Sequence, residues 1–342
     1  MAERTGDGPL RAGGVVVVGS ANLDVVLGVE EVPRAGETVL ARSRAEHVGG
    51  KGLNQAVAAA RCGAATTFVG AVGDDGAGQR LREVLAEAGV DVRARLLDGP
   101  TGTAFITVSA TGENAIVVDA GANAGLTDLT PAELATVRGA GHLLCQLEVP
   151  LPTVAAAAEV ATAAEGVVVL NPSPVQPLPA PLLGRVHVLL VNEHEAAALA
   201  GGGAGGGPGG DADGAVGRAR SLARRLLEDV PAVVVTLGPR GALVAVRDGS
   251  PDGVHVPGLE VEAVDTTGAG DAFSGALVAA LEDARAQGTR RSGSAPDEAG
   301  LVAAARVATA AAALSVQRHG AAASSPHRAD VEALLREGPV GA

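Results

Sequence analysis

Short apolar runs bounded by glycines or polar turns recur along this chain. Between them lie longer alanine- and leucine-rich stretches with polar residues at helical spacing. Gly14–Ser20 reads GVVVVGS, the pattern of a strand buried on both faces. Thr66–Val72 is a second such run, after which Gly73–Gly76 turns the chain into a helix over Gly78–Ala88. Further strands are predicted at His142–Gln146, Gly166–Leu170, Val186–Val191 and Ala232–Leu237, with a helix at Val154–Ala164. This alternation predicts an α/β fold, a mostly parallel sheet with helices on both faces. Two regions break it. Residues 25–48 mix short alternating runs, and residues 92–119 hold Thr103–Val108 and Asn114–Asp119 around a hairpin turn at Ala110–Glu113. They predict a small antiparallel sheet projecting from the main domain, or else edge strands of the main sheet.

The stretch that organises the chemistry is Val264–Phe273 (VDTTGAGDAF), an extended segment turning through Gly268 and Gly270 into a helix that runs on over Phe273–Leu281. Two glycines allow a tight turn and close approach of another molecule. The amides of Gly268, Ala269, Gly270 and Asp271 would be unpaired donors at a helix start, a ready anion site. Asp271 in its mouth is either a plain helix cap or a general base beside a phosphate cradle. Other polar residues stand at strand ends, where open α/β sheets bind ligands. Asn22 and Asp24 follow the first strand, Glu148 the strand His142–Gln146, and Asn192 and Glu195 the strand Val186–Val191; the last pair also fits a capping box. Val48–Ala56 (VGGKGLNQA) opens a helix through Ala60 and lacks the spacing of a Walker A loop. Gly320 is expected to cap the last alanine-rich helix.

Composition narrows the classes. The chain has 342 residues, 47% hydrophobic and only 1% aromatic, so its core is Ala, Val and Leu. A net charge of −13 argues against nucleic acid or an anionic membrane as partner. Neither Cys62 nor Cys145 stands at a metal-ligand spacing, so both read as buried thiols. Lys51 is the sole lysine of a chain that otherwise uses arginine, the result either of chance drift or of a place that requires a compact ammonium. Residues 1–13 lack a signal peptide's apolar core and no run reaches membrane-spanning length, so a cytoplasmic protein is expected. Residues 201–214, nearly all Gly, Ala and Asp, are expected to be a flexible loop, and 288–298 an exposed connection.

The run DTTGAGD (265–271) resembles the second signature of the ribokinase-like, or PfkB, carbohydrate kinases, and GGKGLNQ (49–55) resembles the first. The resemblance spans residues 14–335 and four motifs in family order. It implies an ATP-dependent sugar kinase acting on the 5-hydroxyl of D-ribose, with Asp271 as general base and Gly268–Asp271 as anion hole. By the same resemblance Asn22, Asp24, Gly50, Lys51, Gly52, Asn54 and Glu148 hold the sugar. Asn192 and Glu195 order the phosphates and Mg²⁺ through water. Thr236, Gly238, Arg240 and Gly241 line the ATP side with Gly270, and Thr309 lies near adenine. Asp265, Thr267, Ser315, Arg318, Gly320 and Ser324 build a site for an activating K⁺. Segments 22–48 and 92–119 form a lid that closes over the sugar and pairs two subunits as a homodimer. Other sugars or nucleosides (deoxyribose, fructose, 2-keto-3-deoxygluconate, pseudouridine) and a non-catalytic sensor on the same fold remain alternatives.

Overall fold

A computed structural model describes residues 13–201, 212–288 and 293–337. The leader (1–12), most of the 201–214 loop and residues 289–292 of the later connection therefore lie outside the described residues. Thirteen strands are described. In chain order they are β1 Val15–Val18, β2 Asn22–Gly28, β3 Ser43–Gly49, β4 Thr66–Gly73, β5 Asp91–Leu97, β6 Gly102–Val108 and β7 Asn114–Asp119. They continue with β8 His142–Cys145, β9 Val167–Leu170, β10 Val188–Asn192, β11 Ala232–Thr236, β12 Ala242–Val246 and β13 Val254–Val256. The α-helices are α1 Lys51–Arg61, α2 Gly76–Glu87, α3 Pro131–Arg138, α4 Leu151–Ala163 and α5 Ala180–Leu183. They are followed by α6 Glu193–Leu199, α7 Ala212–Leu226, α8 Ala269–Ala286, α9 Glu298–Ser315 and α10 Arg328–Glu337.

Nine strands form one sheet in the order β13-β12-β11-β10-β9-β8-β1-β4-β5. Pairing is parallel from β5 to β11, and β12 and β13 close the far edge antiparallel. Successive side chains on a strand point to opposite faces, so each VVVV-type run feeds two cores. Val15, Val17, Leu144, Val169, Leu190 and Val234 pack with α1, α2, α8 and α9. Val16, Val18, Leu143, Leu170, Val191 and Val235 pack with α3, α4 and α7. Both cysteines are buried in these cores. α9 is apolar enough by length and composition to cross a membrane, but its Leu301, Ala305 and Ala308 belong to the core beneath α8.

The second sheet has the order β3-β2-β6-β7, antiparallel at β2–β3 and β6–β7 and parallel at β2–β6. This separate sheet settles the choice left open above. One boundary differs from expectation: β5 pairs with β4 in the large sheet, so residues 92–97 do not belong to the small one. The small sheet presents Phe105, Ile116, Val117 and Val118 to the outside. Gly320 is not the cap of α9, which ends at Ser315 with Val316 as its C-cap. Gly320 instead turns the following loop at φ +87°, and its N–H donates to Asp265 Oδ2 at 2.9 Å.

Candidate active site

β1 has β4 on one side and β8 on the other, so the chain reverses its winding direction there, and the strand ends diverge into a crevice. The N-terminus of α1 enters this crevice because three glycines permit it. Gly50 holds φ +87°, and a Cβ there would lie 2.7 Å from Asn22 N. A Cβ on Gly52 would meet the Gly19–Ser20 backbone at 2.6 Å, and one on Gly49 would collide with the Asp24 carboxylate. Glu148, just past β8, ties the two sides together. Its Oε2 accepts from Ser20 Oγ at 2.5 Å and from the Lys51 amide at 2.9 Å.

α8 starts earlier than its apolar pattern predicted. Gly268, at φ +76°, is the N-cap, and Asp271 lies in the first turn, so Asp271 is not a cap. The Ala269 amide donates to Thr266 O and the Ala272 amide to Gly268 O, while the Gly270 and Asp271 amides between them have no acceptor among the described residues. The Asp271 carboxylate is buried and held by α1: Asn54 Nδ2 donates to Oδ2 and Gln55 Nε2 to Oδ1, both at 2.9 Å. The two helices reach each other because Gly275, one turn along α8, has no side chain. A Cβ there would lie 2.5 Å from Gln55 O.

Burial raises the proton affinity of Asp271, against Lys51 and the two amide donors, which lower it. Asp24 is pushed up to about 6 by burial and by the charges of Glu148 and Asp271. Three carboxylates and one ammonium thus face one small volume, which suits a polyhydroxylated ligand whose hydroxyls can donate to them. Asn22 is oriented from outside this group. Its Oδ1 accepts from Asn123 Nδ2 at 2.7 Å, and Asn123 is itself pinned to both the N–H and the carbonyl of Ala21.

A cleft of about 150 Å³ continues from Asp271 along Gly268–Gly270 to Asn171, Asn192, Glu195 and Thr236. Asn192 and Glu195 form the expected capping box: Asn192 Oδ1 accepts from Glu195 N and Glu195 Oε2 from Asn192 N. His194 is exposed. Gly238 and Arg240 form a 3₁₀ turn at this end, and Arg240 pairs with Glu193 at 2.8 Å. Gly241 follows at φ +90°, where a Cβ would meet Val256 O. Thr309 is buried in α9 and donates to Ala305 O. Among the described residues no three His, Cys, Asp or Glu side chains cluster as a metal site. One carboxylate in a wet phosphate-sized cleft still fits Mg²⁺, which keeps most of its waters.

The residues expected around K⁺ come together only in part. Asp265 accepts from the Thr267 and Gly320 amides, joining the two segments, and Val316 O accepts from the Val264 and Asp265 amides. The Ser315 and Ser324 hydroxyls are directed to Ala312 O and Ala321 O within their own segments, and Arg318 points to solvent. The motifs gave no role to Gln55, Gln146, Asn171, Asn123 or Ser20, whose partners lie far away along the chain.

Known proteins resemble this chain in sequence and in fold. A model of the pfkB family of carbohydrate kinases matches residues 13–328. The chain is 35% identical over 317 residues to a ribokinase of Staphylococcus aureus, covering 91% of this chain and 96% of that one. A Bacillus subtilis ribokinase is 36% identical over 327 residues, covering 94% and 99%. Among solved structures, Arabidopsis thaliana ribokinase complexed with ribose and ATP superposes with a TM-score of 0.80 at 31% identity, over 95% of this chain and 99% of that one. A Thermotoga maritima ribokinase gives 0.78 at 35% identity, over 94% and 99%. This chain belongs to the pfkB family of carbohydrate kinases.

Proposed function

We propose that the chain transfers the γ-phosphoryl group of ATP to the 5-hydroxyl of D-ribose, giving ribose 5-phosphate and ADP. The observation that carries this is the buried Asp271 carboxylate, held only by neutral donors beside two unpaired amides of the same helix turn. A carboxylate so placed can take the hydroxyl proton as the oxygen attacks phosphorus. The unpaired Gly270 and Asp271 amides then face the charge on the transferred group, the Ala269 amide of the expected Gly268–Asp271 set being already bonded to Thr266 O, and the positive end of α8 adds to them. Asp24, Asn22, Lys51, Asn54 and Glu148 supply acceptors and donors to the sugar hydroxyls and hold the reacting one near Asp271.

At the other end, Asn192, Glu195, Thr236 and the turn Gly238–Gly241 receive the nucleotide, with Thr309 behind them. Mg²⁺, held through water by Glu195, would supply positive charge to the phosphates. K⁺ would sit between the Asp265–Thr267 and Ser315–Ser324 segments, where backbone carbonyls would be its ligands. The small sheet would close over the sugar and exclude water. Its outer apolar residues, Phe105, Ile116, Val117 and Val118, suit a dimer contact between two copies.

The test is ADP release from ATP and Mg²⁺ with a panel of sugars and nucleosides, each with K⁺, with Na⁺ and with neither. Ribose turnover stimulated by K⁺ supports substrate and cation together. Turnover on another panel member would move the error to Asn22, Lys51, Asn54 and Glu148. Sugar binding without any ADP release would overturn the catalytic assignment in favour of a sensor.

A further inference from the structure

Behind Asp271 lies a chain of side-chain amides, Gln55, Gln146 and Asn171, of which Asn171 also reaches the cleft and the two glutamines are buried. Gln55 Nε2 donates to Asp271 Oδ1 at 2.9 Å and to Asn171 Oδ1 at 3.1 Å. Gln55 Oε1 accepts from Gln146 Nε2 at 2.5 Å, and Asn171 Nδ2 donates to Leu190 O at 3.0 Å. Gln55 and Gln146 are both fully buried. A glutamine side chain is nearly symmetric in shape but opposite in polarity at its two ends. Turned over, Gln55 would aim a carbonyl oxygen at the Asp271 carboxylate.

The orientation is fixed from both ends. A backbone carbonyl can only accept, so Leu190 O draws the Asn171 N–H₂ and leaves Asn171 Oδ1 facing Gln55. At the other end of Gln55, only Gln146 supplies its carbonyl oxygen with a donor. Gln146 does this at a cost to the fold. Its own Oε1 is buried with no partner among the described residues, against Gly19, where a Cβ would lie 2.0 Å away. An unmatched buried acceptor is unfavourable, and an apolar side chain of the same length would avoid it.

We propose that Gln146 is a positioning residue for the transfer step: its amide fixes the Gln55 amide so that a donor, not an acceptor, faces Asp271. The inference rests on Asp271 being the base. The other charged groups facing Asp271 are Lys51 from α1, Glu148 from beyond β8 and Asp24 from the small sheet. None of them is altered by changing Gln146, so a shift in Asp271 would report the amide chain.

The test is the pH dependence of the single-turnover rate at saturating ribose and ATP, in wild type and Gln146→Met. Saturating sugar removes the separate titration of Asp24 in the free protein. Losing the donor raises the proton affinity of Asp271, so the acid limb moves upward by about one pH unit. The rate then falls about tenfold one unit below the wild-type midpoint and about twofold on the alkaline plateau. Gln55→Met, which removes the donor itself, moves the limb at least as far. An unmoved limb in Gln146→Met, with a loss uniform across pH, overturns the proposal and makes Gln146 a packing residue. If Gln146→Met does not fold, Gln146→Leu carries the same test. Asp271→Asn separates the two layers. If it transfers at the wild-type rate, the base assignment falls and this inference with it. If it is inactive while Gln146→Met keeps the wild-type limb, this inference alone falls.

Discussion

Helix α8 carries two buried carboxylates, one at each end, and they are held in opposite ways. Glu282 accepts from Arg285 Nε and Nη2, from His142 Nδ1 at 2.7 Å and from the Gly14 amide at 2.6 Å. A fixed cation and two further donors hold its carboxyl at about 2 despite burial. Asp271, three turns earlier, accepts only from two neutral amides, with the Lys51 ammonium near but not bonded to it, so burial wins and its proton affinity rises. The difference lies in whether the donors around a buried carboxylate outweigh its burial. One surrounded by cations is an anchor and cannot accept a proton near neutral pH. One held by amides has its proton affinity raised, which suits it to take a proton from a bound hydroxyl.

Breaking each half of the contrast has a different signature. Asp271→Asn should cut turnover by about 10³-fold or more, within the range a general base contributes. Its thermal stability should stay level or rise, because a buried charge is removed; stopped-flow transfer and calorimetric melting check the two together. Glu282→Gln should do the reverse, costing about 2–4 kcal/mol at pH 7 by removing the counter-charge of Arg285, with turnover within about threefold. The folded carboxyl of Glu282 is depressed, so its stabilisation is present above about pH 4.5 and is lost as pH falls towards 2. Urea melts of wild type and variant should therefore converge in acid.

Asp24 sharpens the comparison, because it is a carboxylate with no cation of its own. Its folded value of about 6 lies above the ordinary 3.8, so folding disfavours its ionisation. Stability falls as pH rises from about 4 to 6, and the cost is complete above that. Asp24→Asn should stabilise the protein by about 1 kcal/mol or more at pH 8 and by almost nothing at pH 4, while raising the ribose KM about tenfold. Melting curves at the two pH values, with ribose titrations, check both signs. The smallest effect belongs to Glu195→Gln. The amide can still cap Asn192, so stability should hold, and the KM for ATP with Mg²⁺ should rise about threefold.

Much of this was legible in the sequence. The GVVVVGS-type runs gave the two-faced sheet, and the two glycine motifs placed Lys51, Asn54 and Asp271 in one cleft before any coordinate was known. Asn22 and Asp24 were placed correctly past β1, although they turn out to begin β2 of the small sheet. What stayed hidden has a common cause. The Gly14–Glu282 bond joins residues 268 apart in sequence, and Gln55 meets Gln146 across 91. No local pattern encodes such pairs; they exist only once the strand order is set. Gly320 was misplaced for the opposite reason. Its local signal, a glycine after an alanine-rich run, matches a helix cap, but tertiary bonding to Asp265 ends α9 earlier.

The contrast between the two carboxylates is tested most directly by titrating them in one experiment, following side-chain carboxyl ¹³C shifts assigned by Asp271→Asn and Glu282→Gln in the unliganded protein. The account predicts that Asp271 takes up its proton above the ordinary aspartate range, while Glu282 is still ionised at pH 4. Protonation of Glu282 at a higher pH than Asp271 would contradict it.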